Sequence, residues 1–230
     1  MRIDIVTLFP GFFQGPLQES ILKRAQQKAL VKLAVHNLRD YTHDRHKTVD
    51  AKPFGGGAGM LMKPEPLFEC IEAIRSKGWV VLLDPAGESL KQPLVRKLAR
   101  KKHLVLIAGH YEGVDQRVKK HLVDQEISTG DFVTMGGEAP ALCLIEAVVR
   151  LLPGVLGNAD SIADESFQAD RLEYPQYTRP QIFRGWKVPD VLMSGHHAEV
   201  RKWREEMSLR ETRKKRPDLI KNRRSYGKSH

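Results

Sequence analysis

No apolar run in the chain approaches the roughly 18 uninterrupted residues a membrane span requires. The opening Met1 to Pro10 alternates like a strand and lacks the apolar stretch of a secretory signal. A cytoplasmic protein without a membrane partner is therefore expected. Cysteine is scarce: Cys70 and Cys143 are the only two among 230 residues, far apart and outside any Cys-x-x-Cys pair. That argues against a disulfide framework or a structural zinc site and leaves two ordinary buried thiols. His43 and His46 have no further His or Cys at ligand spacing, so no metal site is expected. The loop Phe54-Gly55-Gly56-Gly57-Ala58-Gly59 lacks both the G-x-G-x-x-G spacing of a dinucleotide site and the Lys-Ser/Thr ending of a P-loop, so neither dinucleotide nor ATP binding is supported.

What is present is enough hydrophobic composition, 41%, for one large core or one good core with a small second one. The net charge is +10, and residues 201–230 supply +8 of it with 12 Lys/Arg against 4 Asp/Glu. A compact positive end suits a polyphosphate partner, because each cation that meets a phosphate releases counterions. It is equally compatible with a solvated basic tail, and charge alone does not choose.

Strand-length apolar runs at Ile3–Phe9, Val31–Leu38, Trp79–Leu83 and Leu104–Ala108 alternate with helical-period segments at Leu17–Ala29, Leu67–Ser76 and Pro93–Arg100. That order predicts an α/β fold with a parallel sheet. A further strand is expected before Gly130, and a closing helix from Ala139 to Leu152, ended by Pro153-Gly154. The division expected is a first domain over 1–156, a flexible linker over 157–171 and a small basic α-helical domain over 172–230, with a helix from His196 to Met207.

Three glycine-bearing turns follow apolar strands: Asp84-Pro85-Ala86-Gly87, Gly109-His110-Tyr111-Glu112-Gly113, and Gly130-Asp131-Phe132 running into Met135-Gly136-Gly137-Glu138. Ligands of open α/β sheets bind at such strand ends. Glycine also lets backbone groups approach the edge of a flat purine, so three converging turns could form an adenine pocket. Singly, each reads as an ordinary tight turn. Arg150 at the end of the long helix suits the helix dipole, and Glu165 in an acidic stretch suits simple solvation. His43-Asp44-Arg45-His46-Lys47 gathers cations and imidazoles that suit phosphate contact.

Several separated runs, taken together, resemble the bacterial tRNA (guanine-N1)-methyltransferase family. They are His43-Asp44-Arg45-His46, Pro53 through Met60, Gly109 through Asp115, Gly130-Asp131-Phe132-Val133, Gly136-Gly137-Glu138, Pro153 through Gly157, Tyr177-Thr178-Arg179-Pro180, and Gly195 through Glu199 with Trp203. The resemblance spans nearly the whole chain. It implies a SPOUT-type sheet with a deep trefoil knot, an obligate homodimer, and bent S-adenosylmethionine in the knot, with magnesium ion accompanying the RNA. General topology rules count against a knot, so that expectation rests on the resemblance alone.

Carried onto this chain, the resemblance places the cofactor at Leu83, Pro85, Gly87, Gly109, Tyr111, Glu112, Thr129, Gly130, Asp131, Phe132, Val133, Thr134, Gly136, Gly137 and Pro140. The substrate it implies is the guanosine 3′-adjacent to the anticodon, position 37 of tRNA, flipped out of its stack. Arg150 matches the family's catalytic arginine. Glu165 stands where the family has an aspartate base, one methylene longer, which makes Asp164 a rival; Thr129 and Glu173 also depart from the family pattern. His43, Arg45 and His46, with Arg201, Lys202 and Arg204 on one helix, are the expected RNA contacts.

Overall fold

Residues Arg2–Thr7 form β1, and their alternation sends Ile3 and Ile5 into one apolar cluster and Val6 into another. A strand that buries apolar side chains on both faces belongs inside a sheet covered on both sides. The computed structural model describes residues 1–157, 165–167 and 170–221, and the chain divides into two compact units, Met1–Gly157 and Asn158–His230.

In the first unit β1 is followed by α1 (Ser20–Gln27), β2 (Lys32–Asn37), the two-residue strands β3 (Asp50–Ala51) and β4 (Leu61–Met62), and α2 (Pro64–Arg75). Then come β5 (Trp79–Ser89), α3 (Gln92–Ala99), β6 (His103–Ala108), α4 (Gln116–His121), β7 (Gln125–Ser128) and α5 (Glu138–Val149). The main sheet has the order β2-β1-β6-β5-β7, every pairing parallel, as the alternating pattern predicts. One face packs Ile3, Ile5, Leu104, Leu106 and Ile127 against α1, α3 and α5. The other packs Val6, Val80, Leu82, Val105 and Ile107 against α2 and α4. Each such side chain, removed from water, contributes about 1.5–3 kcal/mol, so the two layers hold the sheet between helices.

Local chemistry sets the helix ends. Pro64 and Pro93 sit in the first turns of α2 and α3, where a missing N–H costs nothing. The Asp115 side chain accepts from Arg117 N–H to start α4. The closing helix runs where the apolar stretch predicts it, and Arg150 is its C-terminal cap residue.

Three readings need correction. Cys70 is buried, but Cys143 is exposed on α5, because Ala141, Leu144, Ile145 and Val148 take the inward positions and residue 143 falls on the outer side. The segment Asp84–Gly87 is not a turn that ends its strand: Ile127 pairs with both Leu83 and Glu88, so four residues bulge from a strand that continues to Ser89. The second unit is not purely helical. It contains the hairpin β8 (Ile182–Phe183) and β9 (Trp186–Lys187) before α6 (His197–Lys215) and α7 (Pro217–Lys221).

Within that unit, Leu172 N–H donates to Thr212 Oγ1 at 2.9 Å and Ser208 Oγ donates to Leu172 O at 2.6 Å, tying the segment before the hairpin to α6. Among the described part of the expected linker, Phe167 N–H donates to Arg171 O at 2.6 Å and Glu173 N–H to Ser166 Oγ at 3.0 Å.

Candidate cofactor site at the tips of three parallel strands

A cavity of about 320 Å³ opens where β6 and β7 end and β5 bulges, at the small end of the range for small-molecule sites. The β5 bulge gives it Leu83, Pro85 and Ala86, and the β6 turn gives Gly109, Tyr111 and Glu112. The segment after β7 adds Thr129, Phe132, Val133, Thr134, Gly136 and Gly137, with Pro140 from the first turn of α5. The three separate turns therefore converge on one space.

Gly87, Gly130 and Asp131 are not among the lining residues. Gly87 faces the neighbouring strand, where a Cβ would collide with the Glu126–Ile127 peptide, so its need is close strand approach. Gly130 belongs to a local turn, its N–H donating to Ser128 Oγ at 3.2 Å.

The third segment reaches its place by crossing back. From the edge strand β7 the chain returns to β6, where Gly137 N–H donates to Gly109 O at 2.7 Å and Gly136 bridges His110. A Cβ on Gly137 would lie 2.7 Å from Ala108 Cα, which only glycine avoids. Tyr111 holds φ at 60°, a left-handed conformation uncommon for a residue with a side chain. Such strain is kept where the surroundings enforce it, typically at sites that bind.

Behind the cavity sits a polar bridge that the sequence does not reveal. Thr7 Oγ1 donates to Glu138 Oε1 at 2.8 Å and accepts from Phe9 N–H at 2.9 Å. Glu138 is the first residue of α5, where the helix dipole favours a carboxylate. Its Oε2 lies 3.8 Å from His110 Nδ1, too long for a hydrogen bond, and that buried nitrogen has no hydrogen-bond partner among the described residues. His110 lines the cavity, so an unsatisfied polar atom lies beside the space a ligand would fill.

On the other side Lys119 of α4 donates to Asp84 Oδ2 at 2.6 Å and to Glu126 Oε2 at 2.9 Å. Burial pushes the Asp84 carboxyl up, but the Lys119 ammonium and the Ala86 N–H outweigh it and hold the group below the usual carboxylate range. Burial alone would lower the Lys119 ammonium, yet its two carboxylate partners raise it. The pairing of Asp84 with Lys119 carries no sequence signal, since the fold makes it.

The loop expected to touch phosphate is exposed throughout His43–Lys47. His43 Nε2 contacts Glu69 Oε2 at 2.8 Å, while Arg45 and His46 project from a turn organised by Asp44. That carboxylate accepts from Thr48 Oγ1 at 2.7 Å and from His46 N–H at 3.1 Å, and the Thr48 bond foremost holds it below the usual range. In the second unit Arg201 and Lys202 are exposed on α6, whereas Arg204 is half-buried with its guanidinium 4.8 Å from the Tyr174 ring. Arg150 belongs to the first unit and Glu165 to the second; Asp164 lies outside the described residues. Among the described residues no cluster of three or more His, Cys, Asp or Glu is placed to hold a metal ion, and no helix is long and apolar enough to cross a membrane.

Residues 1–222 match the family model tRNA (Guanine-1)-methyltransferase TrmD. The chain belongs to that family. It is similar to proteins named tRNA (guanine-N(1)-)-methyltransferase from three organisms. The identity is 57% with that of Gloeobacter violaceus (96% of this chain, 98% of the relative), 54% with that of Dictyoglomus turgidum (96% and 90%) and 54% with that of Brevibacillus brevis (96% and 91%). The cavity wall includes the backbone of Gly109, Gly136 and Gly137, beside the His110 ring.

Proposed function

We infer that this protein is a tRNA (guanine-N1)-methyltransferase that uses S-adenosylmethionine to convert guanosine 37, the nucleoside 3′-adjacent to the anticodon, to 1-methylguanosine. Convergence of the β5 bulge and the β6 and β7 tips on one cavity carries this reading, because membership of the family predicts a donor site there. When bound, S-adenosylmethionine supplies an electrophilic methyl group. The residues of this chain then have two tasks, to align the acceptor and to make it nucleophilic.

Guanine N1 carries a proton at neutral pH, so a base must remove it as the nitrogen attacks. We assign this to Glu165, with Asp164 the alternative. The negative charge that develops on O6 needs a cation, and Arg150 supplies it. His43, Arg45 and His46 of the first unit and Arg201 and Lys202 of the second hold phosphates, while Arg204 braces Tyr174 against α6. Magnesium ion accompanies the RNA.

A trefoil knot is supported by the return of residues 129–137 from the edge strand β7 to β6, past β5, which pairs with β7 on both sides of its bulge. A homodimer is supported by apolar side chains left open around the cavity: Phe132 is 60%, Val133 82% and Met135 95% exposed. A tRNA-modifying enzyme works where mature tRNA is, in the cytoplasm.

The test is a pair of transcripts that differ only at nucleotide 37, guanosine or adenosine, incubated with protein and S-adenosylmethionine. Nucleoside analysis should find 1-methylguanosine in the first alone. Methylation elsewhere in the chain, or on a ribose, contradicts the assignment.

A further inference from the structure

The hairpin Ile182–Lys187 exposes two aromatic rings that its own unit leaves uncovered. Phe183 and Trp186 are paired directly across β8 and β9, with ring centroids 6.3 Å apart. Directly opposed residues point to the same face of a two-stranded ribbon. Phe183 is 55% and Trp186 70% exposed, although aromatic rings are among the side chains that gain most from burial. The ribbon is turned by Arg184 and Gly185 at φ 54° and 84°, the left-handed pair that a two-residue hairpin requires. The rings are thus held in place before any partner arrives.

Charge identifies the partner. Residues 176–189 contain Arg179, Arg184 and Lys187 and no Asp or Glu. Arg184 places its guanidinium 5.3 Å from the Phe183 ring, at the edge of the aromatic face. Aromatic rings interleaved with cations form the surface that single-stranded RNA recognises: bases stack on the rings while phosphates meet the cations. A second copy of this basic chain would instead be repelled by a one-sign charge set.

We propose that the Phe183–Trp186 face is a stacking platform for unpaired bases of the tRNA substrate, with Arg184 and Lys187 on the adjoining phosphates. This rests on the reading of the protein as a tRNA methyltransferase and adds a contact that neither the basic helix nor the cofactor cavity provides. Stacking tolerates any base, so the platform contributes grip and leaves sequence choice to the target pocket.

The experiment measures tRNA affinity of the full-length protein against salt concentration for wild type, the double variant Phe183→Ala/Trp186→Ala, and Trp186→Phe. Because stacking displaces no counterions, the double variant should bind about tenfold more weakly with an unchanged slope of log affinity against log salt. Trp186→Phe should recover most of the loss. S-adenosylmethionine affinity and circular dichroism should match wild type, since both rings are surface groups. Unchanged tRNA affinity in the double variant overturns the proposal. So does a loss of affinity accompanied by a change of oligomeric mass, which assigns the face to a second copy of the chain. Failure of the wild type to methylate tRNA is the separate result that defeats the underlying reading.

Discussion

Lys119 Nζ lies 2.6 Å from Asp84 Oδ2 and 2.9 Å from Glu126 Oε2, so one ammonium from α4 joins the β5 bulge to the strand that precedes the third turn. Both carboxylate-bearing segments run into the cavity wall: Asp84 lines it, and Ile127 and Ser128 follow Glu126 there. The pair is a clamp that fixes the spacing of two of the three turns. Lys119→Met should leave a largely buried carboxylate unpaired and weaken S-adenosylmethionine binding by about tenfold, through a looser wall. Lys119→Arg should restore much of it. Calorimetric titration with the donor reads this out, and turnover at saturating donor should stay near wild type.

The same clamp has a defined pH window. The folded Asp84 is held below its unfolded value, so its contribution is present above roughly pH 4 and is lost as pH falls through the lower folded value. The folded Lys119 is held above its unfolded value, so its contribution is complete below about pH 10 and is lost at higher pH. Donor affinity should therefore owe no pH dependence to this pair between about pH 5 and 9, which titrations across that range check.

Acid stability should depend on Asp4. This fully buried carboxylate receives His36 Nε2 at 2.7 Å, His103 Nε2 at 2.6 Å and the Arg2 guanidinium. Burial pushes it up, and these partners together overcome that and hold it well below the usual carboxylate range. Its stabilisation is present above about pH 4 and disappears as pH falls through the folded value. Asp4→Asn leaves the three partners facing a neutral amide and should cost about 3 kcal/mol at neutral pH. Denaturant titration at pH 7 and pH 3 should show the variant's deficit shrinking in acid.

Gly137 should tolerate no side chain. A Cβ there would sit 2.7 Å from Ala108 Cα and from Gly109 N, where neither can move without disturbing β6. Gly137→Ala should destabilise the protein by about 1–3 kcal/mol and reduce donor affinity beyond calorimetric detection. Thermal denaturation with and without S-adenosylmethionine separates the two effects.

The chemistry should divide between two residues. Glu165→Gln should lower turnover at saturating donor by at least about 10²-fold with donor affinity intact, because the carboxylate acts on guanine. If Asp164→Asn carries that loss, the base is Asp164. Arg150→Ala should lower turnover by about 10²–10³-fold. Single-turnover kinetics with a tRNA transcript measure all three variants.

Much of this architecture is legible in the residues. The unbroken apolar run Leu104 through Ala108, and Ile3, Ile5 and Val6 in β1, mark strands buried on both faces, and the Pro and Asp signals open α2, α3 and α4. The helix α4 itself is missed by periodicity, because Val118 is the one residue of its six that is fully buried. Two-residue strands such as β8 and β9 are too short to show a pattern at all. At the site, the three turns stand out through glycine, yet glycine does not say which way it faces: Gly137 and Gly109 serve the cavity, and Gly87 serves strand packing. The Lys119 clamp and the Thr7–Glu138 bridge join residues 35 and 131 positions apart, and no local rule announces either.

The most direct test follows backbone hydrogen exchange of the protein with and without S-adenosylmethionine. Slowed exchange confined to residues 83–86, 109–113 and 129–137 is the predicted result. Protection of any other region, with these three segments unchanged, would contradict the account.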